Sequence, residues 1–327
     1  MKGVYLKTKY VLILSLIINR NNRNTIYFID EELKEELNLS KYKVIWLKNL
    51  KKSNYLLEKY KKWQYNNKLL KEIAEIDELY LQDHIKFSQF FLNNFNGKAI
   101  LLEDGTINYN EKILLEEKNK KLKKIKINHF MKKVIVEKIK KEYRRFGLSE
   151  KIQEIYLTGL LPIPDLINNK VKIINISDEW EKLSKKDKEE ILRVFKISSK
   201  SFENLKVEKN KVLLLTQPLS EDKIITEKEK INIYREILLK ENGKNIYIKA
   251  HPREKTNYKE VFKEFNINII ENSFPIEICL LLDIKFEKVI TLFSTGALSF
   301  KGKSEVEFIG TEKYPKLYEK FEKVTID

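Results

Sequence analysis

The sequence predicts an α/β protein of two domains, each with a mostly parallel, doubly wound sheet. Three observations carry this. Short apolar runs of strand length alternate with segments of helical period from Gly3 to Leu102. The alternation lapses over Ile197–Lys211, which is polar and has no clear period, and restarts at Val212. Residues able to do chemistry gather just after the predicted strands, where open α/β sheets bind ligands. The boundary in the polar stretch gives domains 1–200 and 201–327, with the last helix free to return to the first domain.

In the first domain, Gly3–Leu6 reads as a strand and Val11–Ile18 as a core helix. That apolar run is bracketed by Lys9 and Arg20. It falls well short of the ~20 residues that span a bilayer, so it is read neither as a leader nor as an anchor. Thr25–Ile29 and Lys43–Leu47 are strands; Glu31–Leu39 and Asn54–Ile76 are expected helices. Glu78–Leu81 is a further strand before a helix over Asp83–Phe95. Lys98–Leu102 then runs into Glu103-Asp104-Gly105. Glu111–Phe146 carries 14 Lys and Arg against five Glu with apolar residues interleaved, which predicts one or two amphipathic helices broken near Asn128. Such a segment suits an anionic membrane surface, or is a solvated face in a Lys-rich protein. Glu154–Leu157 and Val171–Ile174 are short strands. Lys185–Phe195 is a helix opened by Ser184 as its cap.

In the second domain, strands are expected at Val212–Leu215, Asn245–Lys249, Asn266–Ile270, Val289–Leu292 and Glu305–Ile309. Helices are expected at Glu227–Lys240, after Phe274-Pro-Ile-Glu277, and at Lys313–Phe321. The central stretch is Asn245-Ile-Tyr-Ile-Lys-Ala-His-Pro-Arg-Glu254. Pro252 restricts its own φ and biases His251 toward extended backbone. The reading places Lys249, His251 and Arg253 together at one strand end. Point charge, proton donor and planar fork suit a phosphate-bearing ligand; a capped strand end with surface charges is the plainer alternative. Phe293-Ser-Thr-Gly296 has the layout of a phosphate cradle or of an ordinary N-cap. Glu103-Asp104-Gly105 places a carboxylate at the ligand edge of the first sheet, or is a common Asp-Gly turn.

Composition narrows the classes. A 42% hydrophobic content and 36 aromatic residues exclude a disordered chain. The single Cys279 excludes an internal disulfide and a zinc-cysteine framework, and fits a reducing, cytoplasmic setting. The net charge of +16 favours an anionic partner. Only seven of the 64 basic residues are Arg, and no Arg-rich reading face or named module accompanies them, so nucleic acid is not the expected partner.

Taken in order, Glu103-Asp104-Gly105, Leu215-Thr-Gln-Pro218, Lys249-Ala-His-Pro-Arg-Glu254, Phe274-Pro-Ile-Glu277 and Phe293-Ser-Thr-Gly296 resemble the acidic, His-Pro and Ser/Thr motifs shared by several bacterial sialyltransferase families. The chain resembles most a lipooligosaccharide or capsule sialyltransferase of glycosyltransferase family 52. The resemblance covers most of the chain, and its Thr-Gln-Pro to Ser-Thr-Gly part is the most specific. It implies a GT-B fold of two Rossmann-like domains facing a cleft, the first on the acceptor side and the second binding the nucleotide-sugar. It implies CMP-sialic acid as donor, a galactose-terminated and lipid-linked glycan as acceptor, inversion at the anomeric carbon, and neither metal nor cofactor. His251 would stabilise the leaving phosphate, and Ser294, Thr295 and Gly296 would hold it. Glu277 would hold the ribose. Gln217, Pro218, Lys249, Pro252 and Arg253 would complete the nucleotide site. Asp104, beside Gly105, or Asp222 would deprotonate the acceptor. The resemblance also admits a homodimer, and a cytoplasmic enzyme peripheral to the inner face of the membrane. A UDP-sugar donor such as UDP-glucose is the near alternative. A non-catalytic glycan-, membrane- or nucleic-acid-binding protein is the alternative of another class.

Overall fold

The computed structural model describes residues 1–20, 24–48, 55–121, 143–197 and 202–324. The chain divides into two compact units, Met1–Val194 and Phe195–Asp327, each built on its own parallel sheet.

The first unit runs β1 (Lys2–Leu6), α1 (Lys9–Ile18), β2 (Thr25–Asp30), β3 (Lys43–Leu47), α2 (Tyr55–Ala74), β4 (Glu78–Leu81), α3 (Ser88–Asn94), β5 (Lys98–Leu102), α4 (Glu111–Asn119), β6 (Ile152–Leu157), β7 (Val171–Ile173), α5 (Ile176–Glu181) and α6 (Lys185–Val194). The sheet order is β3-β2-β1-β4-β5-β6-β7, with every pair parallel. Helices on its faces bury the central strands on both sides, which is why β2 and β5 are nearly continuous apolar runs. Helix α1 is buried from Val11 to Ile17, so it is apolar on all sides rather than amphipathic. Its first turn is capped by Thr8, whose side chain accepts the Val11 N–H. Ser184 caps α6 through the Asp187 N–H, as the sequence predicts.

Two expected helices are shorter than their periodicity suggests. Over Glu31–Leu39 only Glu31–Leu33 forms, as a single 3-10 turn. The Asp30 carboxylate accepts the Glu32 N–H, and Asn38 gives its own N–H to the Val194 carbonyl at 2.8 Å, so this backbone is satisfied outside a helix. The helix expected over Asp83–Phe95 begins only at Ser88. The Asp83 carboxylate is instead committed to the N–H groups of Phe146 and Gly147, at 2.9 and 2.8 Å. Of the basic segment 111–146, α4 is helical. Residues 120–121 and 143–146 are not helical, and the stretch between them, with the expected break near Asn128, lies outside the described residues at 122–142. The two flanks of that stretch meet, because Glu117 accepts the Arg145 N–H at 3.1 Å.

The second unit runs α7 (Glu203–Val207), β8 (Lys211–Leu215), α8 (Glu227–Lys240), β9 (Asn245–Lys249), α9 (Tyr258–Val261), β10 (Ile267–Ile269), α10 (Glu277–Leu281), β11 (Lys288–Thr291), β12 (Glu305–Phe308) and α11 (Pro315–Phe321). Its order is β10-β9-β8-β11-β12, again all parallel. Helix α8 opens with a full capping box between Thr226 and Glu229. The terminal helix α11 belongs to this unit: Leu317 is fully buried in its core, and Lys316 reaches Glu229 at 2.7 Å. Both sheets share one topological device. The strand order reverses between β1 and β4 in the first and between β8 and β11 in the second, and the crevice at the carboxyl ends of such a pair is where ligands bind.

Candidate active site

In the second unit the loop after β8 carries Thr216, Gln217 and Pro218. The loops after β9 and β11 lie on either side of it, bringing His251 and Ser294. Fixed backbone contacts set this edge. Gln217 donates its N–H to the hydroxyl of the buried Tyr234 at 2.7 Å, and the Pro218 carbonyl accepts the Asp222 N–H at 2.8 Å. Thr291, fully buried, donates to the Leu215 carbonyl and accepts the Ser294 N–H, both at 2.9 Å.

The His251 loop is clamped by Glu254. Its carboxylate, fully buried, accepts the His251 N–H at 2.7 Å, the Thr216 hydroxyl at 2.6 Å and the Tyr258 hydroxyl. Within the loop, the Arg253 N–H donates to Nδ1 of His251 at 3.2 Å. An imidazole that accepts at Nδ1 carries its proton on Nε2 when neutral. Burial, reinforced by the Arg253 guanidinium, pulls His251 below the ordinary imidazole range against the opposing pull of Asp222 and Glu221. The unliganded site therefore presents a neutral Nε2–H donor rather than a standing cation.

The expected trio of Lys249, His251 and Arg253 does not form. Strand alternation turns Lys249 inward, where its ammonium bonds the Glu271 carbonyl at 2.5 Å and sits 4.4 Å from the Phe274 ring centroid. Lys249 thus ties β9 to the segment that opens α10. Arg253 and Asp222 are brought together instead, as an ion pair joining the β8 and β9 loops. Asp222 is thus held against a guanidinium, whose standing positive charge weakens a carboxylate as a base.

Beneath these loops lies a residue the sequence reading passed over. Lys230 of α8 is fully buried and reaches Glu221 at 2.9 Å, Glu227 at 3.0 Å and Glu254 at 3.9 Å. Glu221 also accepts the Lys255 N–H at 2.8 Å. Burial would raise Glu221, but the Lys255 N–H and the Lys230 ammonium outweigh it and bring it down to about 2. One ammonium thus fastens α8 to both chemistry-bearing loops. The signal was present in the sequence: Lys230 stands four and seven residues before the buried Tyr234 and Ile237, on the core stripe.

Ser294 and Thr295 are half-buried, and the helix that follows is a 3-10 segment, Thr295–Phe300, rather than an α-helix. Gly296 packs closely: a Cβ there would sit 3.1 Å from Cγ2 of Ile276, which would have to give way. Ile276 precedes Glu277, so the Ser-Thr-Gly turn rests on the start of α10. Glu277 accepts the Ser299 hydroxyl at 3.5 Å.

In the first unit, Glu103 and Asp104 divide their work. Glu103 is fully buried and saturated: Tyr10 and Tyr109 donate at 2.5 Å, and Thr158 donates its N–H at 2.6 Å and its hydroxyl at 2.8 Å. It is a structural tie between β5, α1 and β6. Asp104 keeps a fifth of its side chain exposed. Its Oδ2 accepts from Gln82 Nε2 at 2.5 Å and lies 3.2 Å from His84 Nε2, while among the described residues Oδ1 has only a 3.4 Å contact from Thr8. Thr8 follows β1 and Gln82 follows β4, so the carboxylate stands at the strand-order reversal. Gly105 holds φ +62, which lets the chain turn directly after Asp104. Among the described residues, no three His, Cys, Asp or Glu side chains are grouped to hold a metal ion, and no helix is long and apolar enough to cross a membrane.

Two Rossmann-like units, each with polar groups at its switch point, define the GT-B class of glycosyltransferases. Residues 10–311 match the model of glycosyltransferase family 52, and the chain belongs to that family. An uncharacterised protein of Haemophilus influenzae is 38% identical over 255 residues, covering 77% of this chain and 75% of its own. The fold is similar to an α/β-galactoside α-2,3-sialyltransferase of Photobacterium phosphoreum, with a TM-score of 0.61 at 15% identity over 94% of this chain and 89% of that one. It is also similar to a 2,6-sialyltransferase of Photobacterium sp. JT-ISH-224, solved with CMP and lactose, with a TM-score of 0.59 at 12% identity over 91% and 68%.

Proposed function

We propose that this chain is a sialyltransferase that moves sialic acid from CMP-sialic acid to a galactose-terminated glycan with inversion. The observation that carries the reading is the acceptance of the Arg253 N–H at Nδ1 of His251, which leaves Nε2 to carry the proton of the neutral ring in the loop after β9. In the reaction, the bond between the anomeric carbon and the CMP phosphate breaks, and its electron pair leaves with the phosphate. His251 donates to that oxygen as charge builds, with the Ser294 and Thr295 hydroxyls as further donors. Glu277 accepts from the cytidine ribose. Gln217, Pro218, Pro252 and Arg253 shape the nucleotide site, and Lys249 acts by holding α10 in place. Asp104 takes the proton of the acceptor hydroxyl as that oxygen bonds to the anomeric carbon. It is preferred to Asp222 because it matches the acidic motif and keeps one oxygen with only a long contact among the described residues, whereas Asp222 faces the Arg253 guanidinium. No step in this scheme calls for a metal. The neighbour solved with CMP and lactose supports the choice of donor and acceptor class, and family membership supports glycosyl transfer. The lipid-linked acceptor and a peripheral position on the membrane's cytoplasmic face belong to the same proposal.

Thermal shift of the purified protein with CMP, UMP, UDP and a DNA oligomer tests the donor. A ligand at a hundredfold excess over its Kd adds about 2.7 kcal/mol to the folded state. Selective stabilisation by CMP is expected. A selective response to UDP would replace the donor and keep the fold. A response to DNA alone would favour the binding-protein alternative.

A further inference from the structure

The base proposed for this reaction does not stand alone, and its neighbour His84 was not among the residues singled out by motif. His84 follows β4 by three residues, and its Nε2 lies 3.2 Å from Asp104 Oδ2. The imidazole is nearly enclosed, with 16% of its side chain exposed, and lies against Phe146 at 5.2 Å between ring centroids with the planes tilted by 30°. Its other nitrogen, Nδ1, is buried with no hydrogen-bond partner among the described residues. The nearest acidic group to Nδ1 is Asp83 Oδ1 at 4.0 Å. Asp83 is spoken for by the Phe146 and Gly147 N–H groups, and burial raises it above the usual carboxylate range. Phe146 is therefore doubly placed, as the wall of His84 and as a ligand of Asp83.

Asp104 Oδ2 is the acidic oxygen that faces Nε2, and it also accepts from the Gln82 amide at 2.5 Å. A neutral imidazole carries its proton on one ring nitrogen, and the neighbouring carboxylate favours Nε2. The Asp104 backbone is pinned by its N–H to Asn108 Oδ1 at 2.7 Å. Among the described residues Oδ1 meets only the long Thr8 contact, so it is the oxygen left to take a proton.

We propose that His84 is a positioning residue for Asp104: its Nε2–H, with the Gln82 amide, fixes Oδ2 and reserves Oδ1 as the proton-accepting oxygen. The role rests on Asp104 being the base, and it adds a requirement for a donor at position 84 that the Glu-Asp-Gly motif does not contain. Losing that donor leaves Gln82 alone to hold Oδ2, so the carboxylate becomes more mobile and turnover falls. The other charged groups around the imidazole are Asp83, and around Asp83 in turn Glu117 and Lys170.

The test has an arm that needs no activity. Imidazole 15N and 1H resonances of the three histidines are recorded by NMR in the full chain, with and without Asp104→Asn. Removing the carboxylate should shift the Nε2 and Hε2 resonances of His84 and leave those of His251 in place. An unmoved His84 overturns the proposal, whatever the enzyme transfers. The second arm compares His84→Gln, which keeps a donor, with His84→Phe, which keeps the ring packing against Phe146. On sialyl transfer, His84→Phe should lower kcat on the order of 100-fold, and His84→Gln should recover to within about tenfold of wild type. Equal activity of wild type and His84→Phe overturns the proposal. If the wild type transfers no sialic acid, the functional reading fails, and the NMR arm alone decides the pair.

Discussion

The backbone N–H of Arg253 is bonded to Nδ1 of His251 at 3.2 Å, two residues away in the same loop. Pro252 stands between them with its φ restricted, which narrows the paths open to the loop. The contact leaves Nε2 as the proton-bearing nitrogen of the neutral His251 ring.

Replacing His251 by Ala removes the Nε2–H donor and leaves the nucleotide's other contacts in place. Turnover should collapse by at least about 100-fold while CMP affinity stays within roughly tenfold. Single-turnover kinetics and calorimetric titration of CMP separate the two. Unchanged turnover would strip His251 of its role.

Acidification provides a second check on the same residue. Burial, then Arg253, lowers the folded pKa of His251, so the unfolded chain binds the proton more readily. That sign means stability rises with pH through this window. The penalty is absent above about pH 6.5, the unfolded value, and grows as pH falls until the folded histidine itself protonates. The Tm of wild type should therefore fall more between pH 7.5 and 5.5 than that of His251→Ala, by differential scanning calorimetry. Parallel curves would show that the folded and unfolded pKa values are equal.

Lys230 is predicted to matter more for the second unit than any surface cation. Lys230→Met leaves Glu221 and the buried Glu254 without their ammonium. Loss of one partner from a buried charged cluster costs about 3 kcal/mol or more. Urea denaturation should show that loss, and CMP binding should weaken because the Glu254 clamp on His251 is released.

At the first sheet, Gly105→Ala forces a side chain onto a backbone at φ +62. The strain is about 1–2 kcal/mol. Because the strained residue adjoins Asp104, transfer should fall while CMP affinity is unaffected; a variant with full activity would show that the turn tolerates L-residues.

Much of this was legible in the chain itself. The strand ends at Leu102, Leu215 and Lys249 follow from apolar runs bounded by Gly, Pro and acidic residues, and the structure ends those strands at the same residues. Element lengths were less legible, because tertiary partners took the backbone: the Val194 carbonyl for Asn38, and Asp83 for Phe146 and Gly147. Lys249 was misplaced because a strand-end position does not say which face a side chain takes, and here Phe274 and the Glu271 carbonyl draw it inward. His84 carried no motif at all. It lies 20 residues before Asp104, and only the neighbouring β4 and β5 bring the two together.

The most direct measurement is transfer itself. The protein is incubated with CMP-sialic acid or UDP-glucose and lactose, and products are read by mass spectrometry alongside Asp104→Asn and Asp222→Asn. The account predicts sialyl-lactose from CMP-sialic acid only, its loss by about 100-fold or more in Asp104→Asn, and its survival within roughly tenfold in Asp222→Asn. Glucosyl-lactose from UDP-glucose, or sialyl transfer that depends on Asp222 and not Asp104, would contradict it.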